Sequence, residues 1–267
     1  MTHEEIAFNI TAYFETSSLK PYSVISSNFD GQGVSWGPHQ INLGQGTLQP
    51  VLKGIHEKYS GFLSSVLEQC LDTSGVMQSS FLDLLGAKSN RAAVDLVEAE
   101  WHHTVVIQGK NRRRLKPQWV KFFELLGESN LVQALIRAET KWIDIKASEL
   151  AQWIAKGSKP TVRMYCLAYD LVTQNGGIGA GHRAALTAAR PFLRVYRNRL
   201  ERKGKSVDWA WMNIVAGTRA LMTRITGQTK FAADVASRKF LIVDGEGDFR
   251  GSFVDLDQKF GLSDQAI

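Results

Sequence analysis

The sequence predicts a mainly helical α+β fold with one small hairpin or sheet near residues 22–46. Three observations carry that expectation. From Pro50 onward, apolar residues recur every three to four positions in segment after segment. Residues 21–47 instead run through Ser, Asn, Gly and β-branched residues with little helical period. Gly or Pro then punctuates the helical pattern at Gly109, Pro117, Gly127, 157–160, 176–181, Gly204 and Gly227.

In chain order, Thr2 and Glu5 form a capping box for an opening helix. Its Ile6, Ile10, Tyr13 and Phe14 fall on one stripe, which leaves Glu15 near the C-terminal end. Residues 21–47 follow as a short twisted sheet with Gly-rich turns, the one strand-like region of any length. Leu63, Val66, Leu67 and Cys70 mark a second helix, and Phe81, Leu84 and Leu85 a third. Further helices are expected around 90–108, 118–127, 130–154, 160–174, 181–203, 208–225 and 230–243. The tail, 244–260, is Gly-interrupted and alternating, as in a small terminal hairpin or an ordered loop. With no internal repeat and no long linker, residues 1–267 read as a single domain, with a small β-containing lobe at about 16–50 and a larger helical lobe.

The 267 residues, 44% hydrophobic, suffice for a real core. No run approaches the roughly 20 apolar residues of a membrane helix, and the first residues lack the basic-then-apolar pattern of a secretory signal. The expected partners therefore exclude membrane insertion, and synthesis in the cytoplasm without a signal peptide is expected. Cys70 and Cys166 sit in apolar helical contexts without metal-ligand spacing, as buried thiols do. The net charge of +6 draws the chain toward polyanions and away from polycations. The densest cluster, 110–116, reads as a solvated loop or helix end. His102 and His103, with Glu98 and Glu100, lack any HExxH spacing and read as a helix face, so neither metal nor cofactor is expected. The glycines of 176–181 follow no predicted strand and lack the Lys-Ser/Thr ending of a phosphate loop; they read as a turn between helices. Trp101, Trp119, Trp142, Trp153, Trp209 and Trp211 fall at helical spacing among aliphatics and read as core.

The chemistry is concentrated early. Glycoside hydrolysis generally uses one carboxyl held protonated and one ionised. Glu15 follows Tyr13 and Phe14, an apolar setting suited to an acid, whereas Asp30 lies among Asn, Gly, Gln and Ser, a polar setting suited to a carboxylate. Trp36 offers a flat face for sugar stacking or else fills the core, and Gln40 and Asn42 carry amides able to bind N-acetyl or hydroxyl groups. Gln174 and Asn175 end a helix as a cleft wall or as a cap.

The run Asp30-Gly31-Gln32-Gly33-Val34-Ser35-Trp36-Gly37 resembles the Asp-Gly-x-Gly-apolar-Thr/Ser-x-Gly motif of the glycoside hydrolase family 46 chitosanases, and Phe14-Glu15 resembles the segment bearing their catalytic acid. Gly37-Pro38-His39-Gln40-Ile41-Asn42 is similar to the Gly-x-x-Gln-Ile-Asn turn of lysozymes and lytic transglycosylases. Residues 169–177 and 236–239 resemble segments of chitosanase-like lysozyme domains in phage endolysins and type VI secretion effectors. This resemblance implies a lysozyme-like two-lobed helical fold and an inverting mechanism. In it Glu15 is the general acid, Asp30 the general base and Ser35 the hydroxyl that positions water. The interval from Glu15 to Asp30 looks shorter than is usual in the chitosanases, and a lysozyme-like site can also work with one essential Glu. The implied substrate is the MurNAc–GlcNAc bond of peptidoglycan, whose stem-peptide carboxylates suit a basic chain better than chitosan does. The enzyme would reach the bacterial wall in the periplasm by lysis-linked release or by injection, with an immunity protein as partner in the second case. Chitosanase is the nearest enzymatic alternative; a basic binding or structural phage module is the non-enzymatic one. Nucleic acid is not an expected partner of the enzyme.

Overall fold

The computed structural model describes residues 1–27, 31–70, 75–227 and 229–267. The fold is mainly helical with small antiparallel sheets, of the α+β class that the periodicity predicts. The chain divides into two compact units, one formed by Met1–Phe14 with Trp142–Ile267 and the other by Glu15–Lys141. The segment expected as a β-containing lobe, 16–50, falls wholly within the second.

Helix α1 (His3–Thr16) opens on the expected capping box: the Thr2 amide donates to Glu5 Oε2 at 2.9 Å, and the Glu5 amide donates to Thr2 Oγ1 at 3.3 Å. Its stripe of Ile6, Ile10 and Phe14 is buried.

In the unit Glu15–Lys141, a 3-10 turn (Pro21–Ser23) leads into β1 (Ile25–Ser26), β2 (Ser35–Trp36) and β3 (Ile41–Asn42), paired antiparallel in that order. Helices α2 (Gln49–Lys58), α3 (Ser60–Gln69), α4 (Val76–Leu85) and α5 (Asn90–Glu100) follow. Then come β4 (His102–Ile107), β5 (Lys110–Leu115), α6 (Pro117–Glu128) and α7 (Asn130–Glu139). The core is aromatic. Trp101 stacks on Trp119 at 3.7 Å between ring centroids, and Phe122 meets both Trp119 and Phe81 edge-on. Gly127 lets α6 press against the 3-10 turn: a Cβ there would lie 2.1 Å from the Tyr22 carbonyl oxygen.

Three expectations fail in this unit. The helix expected over 90–108 stops at Glu100, and the longest strands of the molecule, β4 and β5, follow as a hairpin from His102 to Leu115. Gln108 and Gly109 both take positive φ, 51° and 72°, giving the two-residue turn whose twist matches paired strands. The cationic cluster is therefore an exposed strand that runs into the start of α6 at Lys116, with its end fixed where the Leu115 amide donates to Ser27 Oγ at 3.0 Å. His102 is likewise not on a helix face. It is buried, with Nδ1 3.1 Å from the Val97 carbonyl oxygen.

The other unit adds α8 (Trp142–Ala155), α9 (Val162–Asn175), α10 (Ala180–Ala189), a 3-10 segment (Arg190–Tyr196), α11 (Arg197–Glu201), α12 (Val207–Ile225) and α13 (Thr229–Asp244). It closes with the terminal hairpin of β6 (Glu246–Phe249) and β7 (Ser252–Asp255), followed by α14 (Leu256–Phe260). Helix α9 packs between α8 and α13, and α12 lies along α13. The helix expected over 181–203 is broken at Pro191, which has no amide to continue the ladder. The one expected over 130–154 is two helices, α7 and α8. Gly176 ends α9 in the left-handed conformation, φ 68°, as the glycine-rich turn suggested. Cys70 and Cys166 are both buried, and burial pushes the Cys166 thiol well above its ordinary value. Trp101, Trp119 and Trp211 are core; Trp142 is instead 41% exposed.

Candidate functional site

Glu15 occupies the last turn of α1 and is half-buried. Its neighbour Phe14 is fully buried, 4.8 Å from the Phe249 ring and 5.3 Å beneath the Arg238 guanidinium, so α1 cannot rotate about its axis without exposing that side chain. Directly after the helix, Ser17 adopts a φ of 51°, which turns the chain sharply out of the helical path. Glu15 is thereby held on a fixed element just before an abrupt change of direction.

Asp30 lies outside the described residues. The glycines that follow it have backbone reasons to be glycine: Gly31 and Gly33 take φ of 85° and 82°, and a Cβ on Gly33 would stand 3.3 Å from Val94. Ser35 sits on the central strand β2, opposite Ser26 on one side and Asn42 on the other, and is largely buried.

Trp36 is 0% exposed and packs edge-on against Phe123 at 5.0 Å. It is core, and its face is not open to a sugar. The amides of Gln40 and Asn42 make hydrogen bonds within the sheet and its turns. Gln40 Nε2 donates to the Gly37 carbonyl at 3.0 Å, while its Oε1 accepts from Ser26 Oγ at 3.0 Å. Asn42 Oδ1 accepts from the Gln45 amide at 2.8 Å. These bonds stabilise a backbone that needs a positive φ at Gln40.

His39, within the same motif, was given no role by the sequence. It is buried, and burial together with the nearby Arg137 guanidinium pulls its pKa down to about 3, which keeps the ring neutral. Arg137 Nε donates to Tyr22 Oη at 2.7 Å.

Gln174 and Asn175 end α9 in the other unit. Gln174 belongs to a network of buried charge: Asp170, fully buried one turn earlier, accepts from Arg238 and from Lys239 Nζ at 2.8 Å. Lys239 also donates to Gln174 Oε1, and Gln174 Nε2 donates to Asp234 at 3.2 Å. Burial opposes ionisation of Asp170, but the two cations outweigh it and hold the carboxyl below its ordinary value. Gln174 is thus committed to the core of its unit rather than to a cleft wall. Asn175 Oδ1, also buried, has no hydrogen-bond donor among the described residues.

Each unit also has a concavity that these residues do not line. In Glu15–Lys141, a pocket of about 500 Å³ is bordered by Ser80, Asp83, Glu100, Lys116 and Trp119. There the Trp101 indole donates to Ser80 Oγ at 2.8 Å, and Ser80 donates to Glu100. This grouping leaves little local signal in the sequence, because Ser80 and Glu100 lie on separate helices. In the other unit, a pocket of about 440 Å³ is bordered by Arg163, Lys205, Asp208, Trp209 and Asp244. Among the described residues, no group of three His, Cys, Asp or Glu is placed to hold a metal ion. No family model, curated protein or solved structure matches the chain.

Proposed function

We propose that the chain is a peptidoglycan hydrolase of the muramidase type, cleaving the MurNAc–GlcNAc bond with Glu15 as general acid. The observation that carries this reading is the order of parts: a rigid helix delivers a half-buried carboxyl at its last turn, and a small antiparallel sheet with a glycine-rich entry and Ser35 on its central strand comes next. An inverting reaction would use Asp30 as the base that activates water and the Ser35 hydroxyl to position it. Trp36, Gln40 and Asn42 act here as the frame that holds Ser35. The net charge of +6 favours a wall bearing free carboxylates over protonated chitosan.

The test is to incubate isolated sacculi, and chitosan in parallel, with the wild type, Glu15→Gln and Glu100→Gln, and to identify soluble products by mass spectrometry. Reducing muropeptides from the wild type and Glu100→Gln, with a loss of roughly 10²–10⁴-fold in Glu15→Gln, support the proposal. Loss confined to Glu100→Gln moves the acid to the Ser80 pocket. Anhydro ends indicate a lytic transglycosylase, chitosan oligomers alone a chitosanase, and no products from any protein remove the enzymatic reading.

A further inference from the structure

Residues 190–205 concentrate cationic and apolar side chains in water. Seven of these sixteen residues are Lys or Arg against one Glu, so the segment's net charge equals that of the whole chain. Pro191 forces the chain out of α10 into the 3-10 segment, and the bulky side chains there point outward: Phe192 is 70% exposed, Val195 80% and Tyr196 55%. Arg197, Arg199, Arg202 and Lys203 follow, all exposed. The segment is anchored at its start. The Arg190 guanidinium donates to the Ile154 carbonyl at 2.7 Å and to Asp208 at 3.3 Å, and lies 4.9 Å over the Trp211 ring. At its far end Ser206 caps α12, with Oγ accepting from the Trp209 amide at 2.9 Å. A fixed base thus presents three large apolar groups within five residues, flanked by cations.

We propose that residues 190–205 dock the protein onto an anionic lipid surface, with Phe192, Val195 and Tyr196 entering the headgroup–acyl boundary and the cations bound to lipid phosphates. Charge complementarity and the apolar trio together select this partner. Cations alone would suit any polyanion, whereas exposed aliphatic and aromatic groups beside them gain free energy only where an apolar phase lies behind the charge. Single-stranded nucleic acid would use the two rings for stacking but has no use for Val195. No helix among the described residues is long and apolar enough to cross a membrane, so the contact is interfacial. The inference does not rest on the hydrolase reading.

The experiment is co-sedimentation of the full chain with vesicles of equal parts phosphatidylglycerol and phosphatidylcholine, and with phosphatidylcholine alone. Strong partition to the mixed vesicles only is expected. Replacing Arg197, Arg199, Arg202 and Lys203 by Gln should weaken it by roughly 10²–10³-fold, at about 1 kcal/mol per cation near the surface. Phe192→Ser/Val195→Ser/Tyr196→Ser, with charge unchanged, should weaken it by at least about tenfold. The exposed positions make both variants compatible with the fold, and unchanged circular dichroism verifies that. Removing an equal number of charges from the hairpin, at Lys110, Arg112, Arg113 and Arg114, should matter much less. The proposal is overturned if the hairpin variant loses as much, if the apolar variant binds as wild type, or if the wild type binds a single-stranded oligonucleotide and neither vesicle.

Discussion

The two units bury ionisable side chains in opposite ways. In Glu15–Lys141, His39 is buried with the Arg137 guanidinium nearby and survives burial by staying neutral. In the unit of Met1–Phe14 and Trp142–Ile267, Asp170, Arg238 and Lys239 are all fully buried and survive by pairing. The first solution leaves a core that depends on packing and tolerates neutral pH. The second makes two cations of α13 depend on one carboxylate of α9, which ties the two helices in a single register.

The largest effect expected from this contrast is that of Asp170→Asn. It leaves two buried cations short of their shared counter-ion and should cost about 3–5 kcal/mol in urea unfolding at neutral pH. Because the folded Asp170 pKa is depressed, its contribution is complete above the unfolded carboxylate value of 3.8 and is lost as pH falls through the lower folded value. The variant's penalty should therefore shrink only in strong acid; a cost under about 1 kcal/mol at neutral pH would mean that the pairing does not organise the unit.

His39 should act in a different window. Its folded pKa is also depressed, so the unfolded chain binds the extra proton first. Stability should fall as pH drops from 6.5 toward about 3, at a limiting slope of about 1.4 kcal/mol per pH unit. Unfolding measured across that range should show the slope in the wild type and its loss in His39→Gln, and equal slopes would contradict a buried neutral ring. Packing without charge gives the next effect. Gly127→Ala drives a methyl group into the Tyr22 backbone and should cost about 1–3 kcal/mol at every pH, read as a shift of the urea midpoint. The smallest change is Thr2→Ala, which removes one half of the α1 capping box, for about 1 kcal/mol by thermal melting. A larger loss there would show that α1 depends on its cap more than on its buried stripe.

How legible these features were in the sequence depended on whether the cause was local. The α1 cap, the Gly176 stop and the terminal hairpin each depend on residues a few positions apart, and all were read correctly. The hairpin from His102 to Leu115 was not, because its cationic strand faces water along most of its length and leaves no alternation to detect. Only the Gln108-Gly109 turn marked it. Trp36 could not be sorted between surface and core, since its partner Phe123 lies 87 residues away on α6. Gln174 could not be sorted between a cleft wall and a helix cap for a similar reason: the charges that claim it, Asp234 and Lys239, are on α13. An Asp inside the apolar run of α9 was the available hint that something cationic must meet it.

The division of the chain bears on how the protein is made. The unit Glu15–Lys141 is continuous in sequence and can fold as soon as it leaves the ribosome. Helix α1 emerges earlier, yet the partners of its apolar side chains, such as Phe249 and Phe260, are translated more than 100 residues after Lys141. At about 5–20 residues per second, the first helix waits roughly 6–25 s for them beyond the completion of Lys141. During that interval its buried face has no home, so the newborn chain is most exposed to aggregation and to chaperones at helix α1.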